Sequence, residues 1–347
     1  MTYISKVLVV MVLLLLWFSI LSAAEELLGA GATFPYPLYS KMFDVYHKQY
    51  SVKVNYQSIG SGGGIRQLIN KTVHFGATDS FITDEELKMA SAEIVHIPTC
   101  LGSVAICFNL PGQPNLNLTP EILADIYMGG ITRWDDKRIK AVNPGLSLPK
   151  MPIMVVHRSD GSGTTFIFSD YLSKVSQSWE KRVGRGKALS WPTGLGAKGN
   201  EGVTGLIKQI PGSIGYIELA YAIQNKMPRA AIKNASGTFI EPTLDSTSRS
   251  AQSEIPADTR VSITNTSAAD GYPISGFTWL IVYKEQNYNS RSREKAQALV
   301  NLVWWMTHEG QNYTKPLDYA PLPESAVDKT EAILRSITYD GAPVLQK

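Results

Sequence analysis

Three short turns rich in glycine, serine and threonine each follow a strand-like run and precede a segment with helical spacing. They are residues 29–34 (GAGATF), 60–65 (GSGGGI) and 160–165 (DGSGTT). A strand that passes through a short turn into a helix is the repeating unit of α/β proteins, so its recurrence restricts the chain to that class. At the start of a helix, backbone N–H groups, small hydroxyls and the positive end of the helix dipole point the same way. We therefore expect an α/β protein in which three distant turns surround a small anion.

The remaining pattern also alternates between strands and helices. Strands are predicted at 52–57, 73–77, 94–98, 103–109, 152–157, 214–217 and 279–283. Helices are predicted from Phe34 onward and at 119–128, 166–175, 296–306 and 324–337. A length of 347 residues exceeds one typical core and favours two domains. The net charge of +3 is small and dispersed, which argues against a nucleic-acid partner.

The N-terminus has the pattern of a secretory signal peptide. Lys6 is the single charged residue before an apolar run from Val7 to Leu21. Ser22 and Ala24 then place small residues at positions −3 and −1 of a cut after Ala24. We expect residues 1–24 to be removed and the mature protein to lie outside the cytoplasm. The alternative is an uncleaved N-terminal anchor, because the apolar run is long.

The chain has two cysteines, Cys100 and Cys107, and five dispersed histidines. In an exported protein two cysteines permit a disulfide. Both lie in or beside one strand-like run, however, where a bridge would need a turn between them. A disulfide and two free thiols both remain open, and neither residue type is clustered in a way that predicts a metal site.

The residues of the first two turns could bind a ligand or could have a purely structural role. Thr33 can donate through its hydroxyl and Phe34 through its N–H, but this turn taken alone favours a simple helix N-cap. Ser61 precedes three glycines, which are costly to order near the start of a helix. A cap alone does not explain them, whereas close approach of the backbone to a ligand does.

The third turn is the most specific. Arg158 offers a planar, permanently charged fork that suits an oxyanion, and Asp160 can hold that side chain in place. Ser162, Gly163 and Thr164 add N–H groups and hydroxyls. The alternative is a surface Arg–Asp pair beside a capped helix.

Asp79 is an acceptor among these donors. An ionised carboxylate only accepts hydrogen bonds, so it suits an anion that carries a proton. Phosphate at neutral pH keeps a proton and sulfate does not, which predicts discrimination between them. The alternative role for Asp79 is the N-cap of a helix near Thr83.

Motifs of catalysis are missing from the sequence. It has no P-loop, no Gly-x-Ser-x-Gly elbow and no His-Glu-x-x-His pair. His157 adjoins Arg158, but neighbours in a strand point to opposite faces, so we expect His157 to pack away from the site. A phosphatase with Ser61 or Ser162 as nucleophile would lack an adjacent base. The other rivals are a sulfate or molybdate receptor and a sensor or adhesin.

Seven segments together resemble the periplasmic phosphate-binding protein of the high-affinity phosphate ABC transporter. They are residues 29–34, 60–64, 75–79, 125–134, 158–164, 191–202 and 212–218. The resemblance implies an α/β, two-domain, hinged periplasmic-binding-protein fold of type II, with a mixed sheet flanked by helices in each domain. It places the first domain at 25–100 and 272–347 and the second at 101–271, with hinge crossings near 98–103 and 270–276.

The resemblance also implies the ligand, the binding residues and the partners. The implied phosphate contacts are Thr33, Phe34, Ser61, Asp79, Arg158, Ser162, Gly163 and Thr164, with Asp160 supporting Arg158. A periplasmic, monomeric protein would deliver phosphate to an ABC permease with its ATPase subunits, without a cofactor, a metal, a nucleic-acid partner or enzymatic activity. His157 departs from the family, where a second arginine is common, and 226–272 is the least similar segment.

Overall fold

The computed structural model describes residues 26–112, 114–252 and 254–345, so the predicted signal peptide lies outside it. The helices are α1 (Tyr36–Tyr50), α2 (Ser61–Ile69), α3 (Asp84–Leu87), α4 (Pro120–Tyr127), α5 (Lys137–Ala141), α6 (Gly163–Val175), α7 (Gln177–Arg182), α8 (Gly199–Gln209), α9 (Leu219–Gln224), α10 (Leu244–Arg249), α11 (Arg293–Thr307) and α12 (Glu324–Arg335). The strands are β1 (Glu26–Gly31), β2 (Lys53–Ser58), β3 (Phe75–Thr78), β4 (Ile94–Phe108), β5 (Asn117–Leu118), β6 (Met154–Arg158), β7 (Leu195–Ala197), β8 (Ser213–Glu218), β9 (Ala231–Lys233), β10 (Phe239–Ile240), β11 (Ser275–Tyr283), β12 (Thr338–Tyr339) and β13 (Ala342–Pro343).

Eight strands form the main sheet in the order β2-β1-β3-β11-β4-β8-β6-β7. β1 runs parallel to β2 and β3, and β6 runs parallel to β7 and β8. β11 is antiparallel to β3 and β4, and β4 is antiparallel to β8. The sheet is therefore mixed, as the α/β prediction expects.

The long strand β4 joins two halves of this sheet. Its residues from Ile94 to Ser103 pair with β11, and those from Val104 to Phe108 pair with β8. We call β2-β1-β3-β11 with the first part of β4 the first half, and the remainder the second half. The prediction of separate strands at 94–98 and 103–109 is wrong, because β11 supplies hydrogen-bond partners across the intervening residues.

Two helices begin at residues other than the predicted ones. α1 starts at Tyr36 and not at Phe34, with Pro35 in the capping position. α6 starts at Gly163, three residues before the predicted Phe166, because the Ser162 hydroxyl accepts the Thr165 N–H at 3.0 Å. Both shifts leave the polar turn residues immediately before a helix or in its first turn.

Cys100 and Cys107 are buried in β4 as free thiols. Burial raises the pKa of both, that of Cys107 to about 12. The described ranges contain no group of three or more histidine, cysteine, aspartate or glutamate side chains that could hold a metal ion. In the same ranges no helix combines the length and apolarity needed to cross a bilayer.

Candidate functional site

The first turn leaves β1 and enters α1 between the two halves. The Thr33 hydroxyl accepts the backbone N–H of Asn200 at 3.2 Å and its side-chain Nδ2 at 2.9 Å. Thr33 is therefore not an N-cap, and its partner lies in the other half of the sheet. Phe34 is fully buried, and its carbonyl accepts the Tyr319 hydroxyl at 2.7 Å. Within the described part of the chain, the Phe34 N–H has no protein acceptor.

The second turn reaches across to the third. Gly60 has φ 85°, and a Cβ there would lie 2.4 Å from Asp160 Oδ2. Ser61, the first residue of α2, accepts the Gly163 N–H at 3.1 Å through Oγ. Close backbone approach therefore explains the glycine-rich composition of this turn. The Gly62 N–H donates to the Gly161 carbonyl at 2.9 Å, which adds a second bond between the halves.

Asp79 follows β3 and faces these donors. Its Oδ1 accepts the Thr278 hydroxyl at 2.9 Å, and its Oδ2 lies 3.4 Å from Ser61 Oγ. Burial raises the pKa of Asp79 to about 7, against the opposing effects of Thr278, the Arg158 charge and Ser61. The N-cap alternative for Asp79 is wrong, because Thr83 itself caps α3 in a capping box with Glu86.

Arg158 lies at the end of β6 and its side chain is 1% exposed. It makes a two-point ion pair with Asp160, Nε to Oδ1 at 2.7 Å and Nη2 to Oδ2 at 2.5 Å. The alternative of a surface pair is therefore wrong. Burial opposes ionisation of Asp160, but the Arg158 guanidinium and the Gly199 N–H outweigh it, so the pKa is lowered. Asp160 thus stays charged and fixes the plane of the guanidinium.

The first residues of α6 complete the cluster. Ser162 caps the helix, and a Cβ on Gly163 would lie 2.5 Å from Asp79 Oδ2 and 2.6 Å from Ser61 Oγ. The Thr164 hydroxyl lies 3.4 Å from Arg158 Nη1. All nine residues singled out from the sequence therefore lie in one cluster between the two halves.

Three contributors were missed by the sequence reasoning. Asn200 is the second residue of α8, and its Nδ2 donates to the hydroxyls of Thr33 and Thr164 at 2.9 and 3.2 Å, so it joins both halves. The Tyr221 hydroxyl donates to the Thr33 carbonyl at 2.7 Å. Asn200 follows a glycine within the segment 191–202, a local signal that could have drawn attention to it. Thr278 lies inside an apolar strand and has no such signal.

His157 takes no part in the cluster. Its ring stacks on Trp191 with centroids 4.7 Å apart, and burial lowers its pKa. His157 and Arg158 are neighbours in β6, so their side chains point to opposite faces of the sheet, as strand alternation predicts.

Known proteins with similar sequences share nearly the whole chain. A model for a PBP superfamily domain matches residues 21–307. "Phosphate-binding protein PstS" of Pasteurella multocida is 42% identical over 322 residues, which cover 91% of each chain. The protein of that name from Methanocaldococcus jannaschii is 37% identical and covers 85% of this chain and 82% of its own. The chain belongs to the PstS family of phosphate-binding proteins.

Solved structures agree on the fold of this PstS family member. A phosphate-bound, high-affinity periplasmic phosphate-binding protein (PfluDING) has a TM-score of 0.72 at 23% identity, covering 88% of this chain and 93% of that one. A phosphate-binding protein from Stenotrophomonas maltophilia has a TM-score of 0.68 at 20% identity, covering 92% and 96%. The predicted type II binding-protein fold and the family resemblance are confirmed.

Proposed function

We propose that this PstS family member binds inorganic phosphate between the two halves and delivers it to an ABC transporter for import. The observation that carries the proposal is the Asp79 carboxyl, a buried acceptor of the first half that lies against Gly163 of the second half. Its Oδ2 lies 3.4 Å from Ser61 Oγ, and that same Oγ accepts the Gly163 N–H at 3.1 Å. The protein is a binding protein and not an enzyme, as membership of the family implies.

The proposed binding residues divide between the halves. Thr33, Phe34, Ser61 and Asp79 belong to the first half, and Arg158, Ser162, Gly163 and Thr164 to the second. Hydroxyls, N–H groups and the Arg158 guanidinium donate to phosphate oxygens in a site from which water is excluded, which strengthens each bond. Asp160 keeps the guanidinium oriented through its two-point pair.

Asp79 supplies selectivity in this proposal. A monobasic or dibasic phosphate donates its P–O–H to the carboxylate, whereas sulfate has no proton to donate. Sulfate would place a second anion against a buried carboxylate with no proton to bridge them, which costs on the order of several kcal/mol. A buried, 2% exposed Asp79 is the condition under which that cost is large.

Closure of two domains around the ligand is part of the proposal. We assign 25–100 and 272–347 to one domain and 101–271 to the other, with β4 as one crossing. The strand changes partner between Ser103 and Val104, and Ser275 pairs with Ser103 where the chain returns. The Asn200–Thr33 bond and the Lys187–Glu86 ion pair, 2.7 Å, join the halves across the cleft. Phosphate would shift the equilibrium towards this closed form.

Export and delivery complete the proposal. We expect cleavage after Ala24, a periplasmic monomer, and docking of the closed form on a permease with its ATPase subunits. A cleaved N-terminus at Glu25 in protein purified from the periplasm would support export, and retention of residues 1–24 would favour the anchor.

Calorimetric titration of ligand-stripped protein tests the binding proposal. Wild type should bind one phosphate tightly, with displacement by arsenate and not by sulfate. Asp79→Asn should lose preference for phosphate over sulfate, because an amide can donate to sulfate. Asp136→Asn, an equal change at the 22% exposed N-cap of α5, should leave both affinities unchanged.

The same preparation separates the rivals. Absence of phosphate binding in folded protein would overturn the proposal, and sulfate binding tighter than phosphate would favour a sulfate receptor. Turnover of a chromogenic phosphate ester would favour a phosphatase. Unchanged selectivity in Asp79→Asn would remove the role of Asp79 and leave the receptor assignment standing.

A further inference from the structure

Glu218 is a fully buried carboxyl at the boundary between the two halves. It is the last residue of β8 and caps α9, where its Oε2 accepts the Ala220 N–H at 2.7 Å. Its Oε1 is also buried and has no hydrogen-bond partner among the described residues. This oxygen faces Gly102 of the first half, where a Cβ would lie 3.1 Å from it. A role as a helix cap accounts for one oxygen of the carboxyl and leaves the other without a function.

Two tyrosines connect this carboxyl to the first turn of the cleft. The Tyr221 hydroxyl donates to the Thr33 carbonyl at 2.7 Å, and the Tyr319 hydroxyl donates to the Phe34 carbonyl at 2.7 Å. The N–H of Tyr221 and the hydroxyl of Tyr319 both lie against the Glu218 carboxyl. In a trans peptide the C=O and the N–H point in opposite directions, so the bond to the Thr33 carbonyl aims the Phe34 N–H away from Tyr221. That N–H is one of the proposed phosphate donors.

The surroundings of Glu218 favour the neutral acid. Burial raises the pKa of Glu218 well above its usual range, against the opposing effect of the capping N–H groups, and the Asp79 carboxyl raises it further. Tyr319 donates its single hydroxyl proton to Phe34, so towards Glu218 it can only accept. A neutral acid can donate to that hydroxyl, whereas a carboxylate would meet it with lone pairs on both oxygens.

The remaining titratable groups nearby supply no counter-charge. The Cys100 thiol in β4 and the Tyr221 hydroxyl in α9 both interact with Glu218, and burial raises the pKa of each, so neither is charged at neutral pH. The cation of the cleft, Arg158, makes its two-point ion pair with Asp160. A carboxylate at this position would therefore have an unpaired Oε1 in a buried space, which is costly.

We propose that Glu218 is a positioning residue of the phosphate site, which as a neutral acid braces the two tyrosines that hold the first turn. The inference rests on the proposed function, because it concerns the same cleft. When the halves separate, Phe34, Tyr319 and Asp79 withdraw with the first half, whereas the cap of α9 stays within the second. Water then reaches the carboxyl, and the capping N–H groups favour the carboxylate. Closure therefore takes up a proton at a residue that does not touch the ligand.

The pH profile of phosphate binding tests the proposal with Glu218→Gln. The glutamine keeps an acceptor for the Ala220 N–H and offers a donor to Tyr319, so it imitates the neutral acid at every pH. Calorimetry from pH 5 to pH 9 compares its phosphate affinity with that of wild type, and the titrations of phosphate and Asp79 cancel in the ratio. We expect similar affinities near pH 5. Because the closed form holds a proton that the open form has lost, wild type should then bind progressively more weakly than the variant, by at most about tenfold per pH unit.

Two further measurements separate positioning from capping alone. The infrared difference spectrum between phosphate-bound and free wild type should contain a C=O band of a protonated carboxyl that is missing from Glu218→Gln. Glu218→Ala removes both the cap and the brace and should weaken phosphate binding about two- to tenfold even at pH 5. The matched control Thr119→Ala removes the cap of α4 in the same half, where the hydroxyl accepts the Ile122 N–H at 3.4 Å, and should keep wild-type affinity.

Each outcome decides the proposal. A ratio of affinities that widens with pH, together with the infrared band, supports it. Parallel pH profiles for wild type and Glu218→Gln overturn it and leave Glu218 as a helix cap, while the proposed function stands. A wild type that gains affinity over Glu218→Gln as the pH rises also overturns it, because the closed form would then hold a carboxylate. Absence of phosphate binding in both folded proteins overturns the proposed function and this inference with it.

Discussion

Replacement of Asn200 by alanine isolates one bond that forms between the halves. The side chain donates to Thr33 across the cleft at 2.9 Å and to Thr164 within its own half at 3.2 Å. Only the bond to Thr33 depends on closure. A net contribution of about 0.5–1.5 kcal/mol for such a bond corresponds to phosphate binding weakened about two- to tenfold.

The same substitution has a separate effect on stability. Asn200 Oδ1 accepts the N–H of fully buried Glu218 at 2.9 Å. Loss of that acceptor leaves a buried donor unpaired and should lower the free energy of unfolding by about 1–3 kcal/mol. This bond lies within one half, so it affects folding and leaves closure unchanged.

Asn143→Ala is the matched control for these two effects. Asn143 is 3% exposed and makes three side-chain hydrogen bonds, with Asn117 and Ile139 in the second half. It should lose comparable stability in chemical denaturation and keep wild-type phosphate affinity in calorimetry. Equal phosphate affinity in Asn200→Ala and wild type would refute the reasoning that this bond stabilises the closed form.

Three further predictions concern the cleft. Lys187→Ala removes the ion pair with Glu86, in which the Lys187 and Glu86 side chains are 16% and 23% exposed, and should weaken phosphate binding by up to about fivefold at low salt. Weakening that persists at high salt would contradict an electrostatic origin. Asp79 has a pKa of about 7 in the folded state, against 3.8 for an unperturbed aspartate, so ionised Asp79 destabilises the folded state. This destabilisation is absent below pH 3.8 and grows as the pH rises to 7. Asp79→Asn should therefore gain stability over ligand-free wild type between pH 5 and 8 in urea denaturation, by at most on the order of 4 kcal/mol, and a constant difference would argue against the shift. Gly163→Ala should abolish phosphate binding in calorimetry, because its Cβ would lie 2.5 Å from the Asp79 carboxyl. The control Gly205→Ala in α8, whose Cβ would have no atom within 4 Å, should bind phosphate normally and be about 0.5–1 kcal/mol more stable. Phosphate binding retained by Gly163→Ala would show that the cleft closes less tightly.

The amino-acid sequence by itself determined the three turns and the chemistry they present. Short-range signals were sufficient there: three glycines after Ser61, a hydroxyl cap at Ser162, and an Arg–Asp pair two residues apart. The family was also evident from local motifs, because the binding turns are contiguous in sequence. These signals concern neighbours along the chain, for which backbone geometry leaves few alternatives.

Only the tertiary structure decided which distant residues meet. Thr278 reaches Asp79 because β11 pairs with β3, and nothing within β11 predicts that order. β4 is one strand because β11 supplies its partners, although its sequence suggests two. Strand order depends on burial summed over the whole sheet, whereas the conformation of a turn depends on a few residues. The sequence therefore predicts the individual turns of a site more readily than it predicts which of them meet.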